Sequence, residues 1–215
     1  MKIIVILFVI LLLSLPAYAY SPEISGRLER EQRVDTEYVN EEKEVADVYE
    51  QIRFWLRYRQ QLDVGEYYFV RGQYSHSDYR ERIRYSNTTL DLWTNYTFYI
   101  SDYLRNRIRV DIRDKDYYKA REKSYRRLNL SYQLEYEYSS TSDYSLQLQR
   151  RWDYHRYDPN RNNIRDVVTA DWDYEVNPRL NVTTGVRLQR EKHTTESQST
   201  DKFGHRFSVN FRYRP

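Results

Sequence analysis

The feature that most constrains this chain is the alternation of apolar and polar residues with a period of two. The alternation can be followed in ten segments between residue 24 and the end of the 215-residue sequence. In the segment from Arg107 to Arg113, three β-branched apolar residues alternate with four charged residues. Successive side chains of a β-strand point to opposite faces, so the pattern predicts strands with one apolar and one polar face. We therefore expect an all-β protein.

Composition limits what kind of all-β protein this can be. The 35 Lys and Arg residues nearly cancel the 32 Asp and Glu residues, which leaves a net charge of +3 and does not favour a nucleic-acid partner. Beyond residue 19, only about a fifth of the residues are Leu, Ile, Val or Phe, which is little for a water-soluble core. The absence of cysteine excludes a disulfide scaffold and a thiolate zinc site. We expect no metal and no cofactor.

The first 19 residues have the composition of a secretory signal peptide. Lys2 supplies the positive end, Ile3 to Leu15 form the apolar region, and Ala17-Tyr18-Ala19 is a small-x-small cleavage site. Cleavage after Ala19 would leave a single mature domain, residues 20–215. The alternative is an uncleaved membrane anchor. No later run of 18 apolar residues predicts a second membrane helix.

The connections between the alternating segments differ in length in a regular way. Short connections are predicted at 63–66, 101–103, 139–143 and 177–179, and longer, more charged ones at 36–47, 75–82, 114–123, 157–163 and 191–202. Short turns at one end and long polar loops at the other are typical of outer-membrane barrels. The sequence thus predicts a transmembrane antiparallel up-and-down β-barrel of about ten strands.

Aromatic residues are concentrated near the ends of the apolar faces. This set comprises Tyr136, Tyr138, Tyr144, Trp152, Tyr154, Trp172 and Tyr174. Tyr and Trp form girdles at both membrane interfaces of such barrels. The rival interpretation is core packing in a soluble, periplasmic β-sheet binding protein, which would have to solvate a complete sheet face.

With these features together, the chain resembles bacterial outer-membrane β-barrel proteins of the porin-like superfamily. Its last strand carries Phe207, Val209, Phe211 and Tyr213 at alternate positions, like the assembly signal of that class, although Arg214-Pro215 replaces the usual terminal aromatic residue. The Tyr- and Arg-rich style is similar to barrels associated with exopolysaccharide export. The resemblance implies location in the outer membrane, contact with lipid and lipopolysaccharide, and insertion by the barrel-assembly machinery.

In such a barrel the polar faces of the strands would line the lumen. The candidate lumen-lining residues are Arg53, Arg57, Arg59, Arg107, Arg109, Arg113, Arg127, Glu135, Glu137, Arg151, Asp171 and Asp173. Pairing the fifth and sixth segments about their connection predicts Arg105 opposite Glu137 and Arg107 opposite Glu135. Ten strands leave a narrow interior, so we expect no wide, nonselective pore. We expect a non-enzymatic protein. It would be either a plugged envelope scaffold or a narrow, anion-biased path for an anionic solute or polysaccharide, lined first by Arg53, Arg57 and Arg59.

An enzymatic alternative rests on Asp153 and His155, which share one face near a long connection. Omptin proteases are similar in strand number and place acid and histidine pairs at that rim. Any residues two apart on a strand share a face, however, so the spacing alone says little about chemistry. We expect no catalytic residues.

Two arginines, Arg150 and Arg190, fall on the nominal apolar face. An arginine facing lipid at the bilayer midplane costs about 2–4 kcal/mol. Both are therefore expected near the outer rim or at a local bulge.

Overall fold

Ten antiparallel strands follow one another in sequence order in the computed structural model. It describes residues 22–39, 42–80, 82–193 and 201–213, with side chains outside 33–39 and 42–47. The strands are β1 (Glu23–Val39), β2 (Glu42–Asp63), β3 (Glu66–Tyr79), β4 (Asn87–Ser101), β5 (Leu104–Tyr117), β6 (Tyr125–Ser139), β7 (Ser142–His155), β8 (Asn163–Asn177), β9 (Leu180–His193) and β10 (Lys202–Tyr213). The all-β, ten-stranded, up-and-down prediction is confirmed. The predicted signal peptide, residues 1–19, lies outside the described part of the chain.

The sheet is open. Each strand pairs with its sequence neighbours in the order β1 to β10, and within the described residues β1 pairs only with β2 and β10 only with β9. The closed barrel that we expected from the sequence is therefore not formed in this structure. Both edge strands keep one row of backbone donors and acceptors without a strand partner, which is a template for further pairing.

The positions predicted for the short connections are correct, whereas those predicted for the long connections are partly wrong. The four short connections lie where the sequence placed them. The predicted loop 36–47 is mostly strand, since β1 continues to Val39 and β2 begins at Glu42. The segment contains neither proline nor glycine, so nothing in it stops strand pairing once the hairpin has started. The strands β3 and β5 likewise extend to Tyr79 and Tyr117, into segments that we predicted as loops.

The β2–β3 turn illustrates why the short connections could be predicted. Gly65 has a φ of 74°, a left-handed conformation that side chains other than glycine rarely adopt. The carboxylate of Asp63 accepts a hydrogen bond from the backbone N–H of Val64 at 2.7 Å. An added Cβ at Gly65 would also lie 2.6 Å from the ring of Tyr99. The turn therefore depends on glycine for both its backbone and its packing.

The hairpins repeat with a period that the sequence analysis did not detect. The strands β4, β6 and β8 begin at Asn87, Tyr125 and Asn163, which are 38 residues apart. The 3-10 turns in the connections before them, Ile83–Tyr85, Arg121–Lys123 and Pro159–Arg161, have the same spacing. One two-stranded unit is thus repeated along the chain.

A side-chain hydrogen bond closes each of these three connections in the same way. The residue that precedes β4, β6 or β8 accepts a hydrogen bond from the backbone N–H of the last residue of the strand before. The pairs are Ser86 with Tyr79 at 2.9 Å, Ser124 with Tyr117 at 2.9 Å, and Asn162 with His155 at 2.6 Å. Such bonds from short polar side chains to the backbone stabilise turns.

Burial is reversed relative to a water-soluble protein. On the apolar face, Phe54 is 47 % exposed and Leu188 is 53 % exposed, whereas on the polar face Asp91 and Asp153 are 5 % and 6 % exposed. Among the described residues, the hydrophobic side chains that are buried are Val70, Ala120 and Val167. The described part of the sheet therefore has no apolar core, and its apolar face, which we call the outward face, is the exposed one.

The outward face has a layered composition along the strands. Near the short connections, the aromatic rings of Tyr136, Tyr138, Tyr144, Trp172 and Tyr174 form a continuous chain of contacts with centroids 5.7 to 6.4 Å apart. Aliphatic residues such as Leu146 and Leu148 follow. We call this layer of outward aliphatic residues the apolar band.

Toward the long connections, the outward face carries ion pairs. Arg150 Nε lies 2.6 Å from Asp166 Oδ1, and Arg190 Nη2 lies 2.6 Å from Asp201 Oδ2. Each arginine follows the aliphatic residues of its own strand, at least eight residues after the short connection that begins the strand. Across the sheet, Arg150 stands opposite Leu130 of the apolar band, and each arginine has an acidic partner.

Candidate functional site

The polar face gathers all the candidate lumen-lining residues on one side of the sheet. Cross-strand register places each of them on the same face as Arg53 of β2. The set consists of Arg53, Arg57, Arg59, Arg107, Arg109, Arg113, Arg127, Glu135, Glu137, Arg151, Asp171 and Asp173. What they would line depends on closure of the sheet, but their common orientation follows directly from the pairing.

Four arginines of β5 to β8 are interleaved with acids in a network that we call the arginine ladder. Its members are Arg113, Arg127, Arg151 and Arg165, with Asp91, Asp153 and Glu191. Asp91 accepts hydrogen bonds from Arg113 at 2.5 and 3.3 Å, and Asp153 accepts two from Arg127 at 2.6 and 3.2 Å. Such two-pronged contacts are the stronger kind of charge-assisted bond.

Asp153 is the central acid of the arginine ladder. Besides its two bonds from Arg127, its Oδ2 lies 3.2 Å from Arg151 Nε. At the next step, Arg165 donates to Glu191, with its Nε at 2.9 Å. Arg113 stands directly opposite Arg127 across β5 and β6, a like-charge pairing that would be unfavourable by itself. The flanking Asp91 and Asp153 compensate it.

A second group of arginines has no such compensation. This cationic cluster consists of Arg57, Arg59 and Arg71, on β2 and β3. Within the described residues, no carboxylate forms an ion pair with any of the three. Arg57 stands directly opposite Arg71 in the register of β2 and β3, so two like charges face each other without an acid between them.

Aromatic rings hold the cationic cluster in place. The guanidinium carbon of Arg71 lies 4.8 Å from the ring centroid of Trp55 and 5.2 Å from that of Trp93. Arg59 lies 4.9 Å from the ring centroid of Tyr67. Cation–π contacts attract a guanidinium without neutralising its charge. The rings thus fix where the positive charge lies and leave it available.

The cationic cluster borders a cavity of about 520 Å³ on the polar face. Its lining comprises Arg57, Arg59, Tyr67, Phe69, Arg71, Trp93 and Arg109. Two donors at this site have no acceptor, because the Nε atoms of Arg57 and Arg71 are buried without a hydrogen-bond partner. Arg109 differs from the other arginines of the lining, since its Nε donates to Asp111 at 2.6 Å.

Acidic residues are grouped at the end of the polar face that carries the short connections, closer to these connections than the aliphatic residues of the apolar band. Glu137, Asp143 and Asp173 form this acidic cluster, in which Asp143 pairs with both others across β6 to β8. Burial raises the pKa of Asp143, and the negative charges of Glu137 and Asp173 raise it further. The polar face therefore carries separate regions of uncompensated positive and negative charge.

Arg53 differs from Arg57 and Arg59 in having an acidic partner, since its Nη1 contacts Glu29 at 3.4 Å. One predicted pairing on the polar face is wrong. Arg105 lies opposite Glu135, to which its Nε donates at 2.5 Å, and not opposite Glu137. The connection between β5 and β6 contains a 3-10 turn, which sets a register two residues away from the one predicted.

The pair Asp153 and His155 lacks the geometry of a catalytic dyad. Both carboxylate oxygens of Asp153 contact arginines of the arginine ladder. His155, the last residue of β7, packs against the ring of Tyr125 at 5.8 Å, and its Nδ1 is buried without a partner. Burial lowers the pKa of His155, and the nearby Arg161 lowers it further. The imidazole therefore has no carboxylate to orient it.

Sequence reasoning missed the central residue of the cationic cluster. Arg71 lies in the segment from Tyr67 to Tyr74, in which aromatic residues occupy both faces and hide the alternation. A signal was nevertheless present. Once the turn at Val64 and Gly65 fixes the hairpin, Arg71 falls opposite Arg57 on the polar face.

Comparison with known proteins does not assign the site. No protein-family model matches the chain, and no similar sequence is found among curated proteins. In the described ranges, no helix has the length and apolar character needed to cross a membrane. In the same ranges, histidine and acidic side chains form no group of three or more that could hold a metal ion.

Proposed function

We propose that the chain is a non-enzymatic outer-membrane β-barrel with a narrow, anion-biased path through its interior. The observation that carries this proposal is the reversed burial, with exposed Phe54 and Leu188 outside and buried Asp91 and Asp153 on the other face. Burying apolar surface is the main favourable term in folding, and lipid can supply that burial where a protein core does not. A soluble periplasmic protein would leave this face in water.

The layers of the outward face have the order expected across an outer membrane. The aromatic chain from Tyr136 to Tyr174 would lie at the periplasmic interface, and the apolar band would face the lipid tails. The ion pairs of Arg150 and Arg190 would lie at the outer interface, within reach of lipopolysaccharide. Export by the predicted signal peptide and insertion by the barrel-assembly machinery belong to the same proposal.

Closure of the barrel would join the edges β1 and β10. On the polar face β1 offers Glu29 and β10 offers Arg206, and on the apolar face Leu28 and Phe207 are exposed at 72 % and 70 %. The two edges thus match in apolar character, and Glu29, which already contacts Arg27 and Arg53, could also accept from Arg206. In lipid, an unpaired edge would leave backbone groups without partners, which strongly favours closure.

Cysteine pairs can test closure directly, because the chain has no cysteine of its own. We expect Ser208→Cys to form an intramolecular disulfide with a cysteine at one of Ser25, Arg27 or Glu29, after insertion into vesicles. A cysteine at Ser131 of β6, also on the polar face, should form none. Disulfide-linked dimers in place of intramolecular bonds would mean that the edges join two copies, and would contradict closure.

The interior path is supported by the uneven filling of the polar face. A cavity of about 210 Å³ borders the arginine ladder, whereas one of about 520 Å³ borders the cationic cluster. A barrel plugged throughout would instead act as an envelope scaffold. Conductance separates these two forms of the proposal.

We expect discrete anion-favouring steps in planar bilayers, since unpaired arginines along a narrow path lower the barrier for anions. The double variant Arg57→Gln and Arg59→Gln should lose most of this anion preference. Arg150→Gln is the matched control, because it removes a positive charge from the outward face and should leave the preference unchanged. Absence of any conductance from a correctly inserted, heat-modifiable barrel would favour the plugged scaffold.

A further inference from the structure

The cationic cluster combines positive charge that nothing in the described chain neutralises with aromatic contacts and a bordering cavity. Where Arg113 faces Arg127, two carboxylates lie alongside. Where Arg57 faces Arg71, the nearest polar neighbour with a bond is an amide, since Arg71 donates to Gln73 Oε1 at 3.0 Å. Directly opposed like charges are unfavourable, so this arrangement has a cost that an additional anion would remove.

We propose that the cationic cluster is a binding site for a phosphate-type oxoanion. Guanidinium groups present several N–H donors in a fixed plane, which matches the oxygens of phosphate and sulfate. Arg57, Arg59 and Arg71 line the same cavity, which places three guanidinium groups around one bound anion. This inference rests on the proposed function, because the polar face is where a solute would pass.

The aromatic contacts make the site a preorganised one. Arg71 is held between Trp55 and Trp93, and Arg59 is held against Tyr67. Side chains that are already fixed lose less conformational entropy when a ligand binds. The adjacent cavity, at about 520 Å³, has room for more than the oxoanion itself. The anion could therefore be free phosphate or a phosphate group carried by a small solute.

Isothermal titration calorimetry on the refolded full chain in detergent tests the site independently of conductance. The probes are inorganic phosphate, glucose 6-phosphate and glucose. We expect saturable binding of at least one phosphate-bearing probe and none of glucose. Binding of both phosphate probes identifies the free ion as sufficient, whereas binding of glucose 6-phosphate alone identifies an esterified phosphate as the ligand.

Two variants distinguish a built site from diffuse attraction. Arg71→Gln should weaken binding at least tenfold. Arg187→Gln is its matched control, because Arg187 is also on the polar face without an acidic partner in the described chain but lies on β9. Equal weakening by both variants would overturn the proposal in favour of diffuse attraction.

Failure of the site and failure of the proposed function give different results. No saturable binding of either phosphate probe, or equal binding of glucose, would overturn the site. That result would leave the membrane proposal untouched if the protein still conducts with anion preference. Conversely, phosphate binding by a protein that fails to insert would retain the site and contradict the membrane proposal.

Discussion

The arginine ladder and the cationic cluster lie on the same face of one sheet and use the same side chain in opposite ways. In the arginine ladder every arginine contacts an acid, and Asp153 alone contacts two of them. In the cationic cluster, Arg59 and Arg71 contact aromatic rings, Arg71 also donates to the amide of Gln73, and Arg57 faces Arg71. The first arrangement satisfies its charges internally, and the second leaves them for something else.

The difference depends on a few positions. Asp91 stands directly opposite Arg113, whereas Gln73, an amide, lies two residues from Arg71 on the same strand. Acid or amide at such positions decides whether a group of arginines holds the sheet together or can bind an anion. The number of arginines in a region determines neither its contribution to stability nor its capacity to bind an anion.

The largest expected effect comes from removing the central acid of the arginine ladder. Asp153→Asn should lower the free energy of unfolding by about 3 kcal/mol, because it leaves Arg127 and Arg151 without their shared counter-charge. Asp166→Asn is the control, since its solvent-exposed pair with Arg150 should contribute far less to stability. Urea unfolding followed by gel mobility measures both. Equal losses would mean that the arginine ladder has no special role in stability.

An intermediate effect on stability should distinguish the arginines of the arginine ladder from those of the cationic cluster. Arg113→Gln should destabilise the protein by about 2 kcal/mol, because Asp91 is buried and would lose its charged partner. Arg71→Gln should leave stability unchanged or raise it slightly, because it removes a like charge facing Arg57. The comparison fails if Arg71→Gln destabilises the protein as much as Arg113→Gln does.

The smallest expected effect on stability comes from giving the cationic cluster an acidic partner, as the arginines of the arginine ladder have. Gln73→Glu keeps the side-chain shape and places a carboxylate where Arg71 already donates a hydrogen bond. Stability should change little, because the new ion pair with Arg71 is offset by repulsion from Asp91, which stands directly opposite position 73. Phosphate binding, measured by calorimetry, should fall sharply. Unchanged phosphate binding in Gln73→Glu would show that Arg71 is not the centre of the site.

The strands themselves could be predicted because period-two alternation needs only neighbouring residues. The cross-strand register was harder to predict, because it depends on the exact length and shape of each connection. The connection from Tyr118 to Ser124 contains neither glycine nor proline, so nothing in the sequence announced its 3-10 turn, and Arg105 was placed opposite the wrong glutamate.

The candidate site was only partly predictable for a related reason. Most arginines of the polar face follow from alternation, but which of them are neutralised depends on partners far along the chain. Arg127 and Asp153, for example, are 26 residues apart. Arg71 was missed because Tyr68, Phe69 and Val70 obscure the alternation around it.

Repetition of the 38-residue hairpin unit provides a way for such a sheet to gain strands. Because Asn87 and Tyr125 begin equivalent strands after equivalent connections, duplication of residues 87–124 would insert two further strands whose ends already match their neighbours. The number of strands would stay even, as is usual in closed up-and-down β-barrels of bacterial outer membranes. Circumference could thus grow in discrete steps through gene duplication, with each added hairpin bringing its own polar lining.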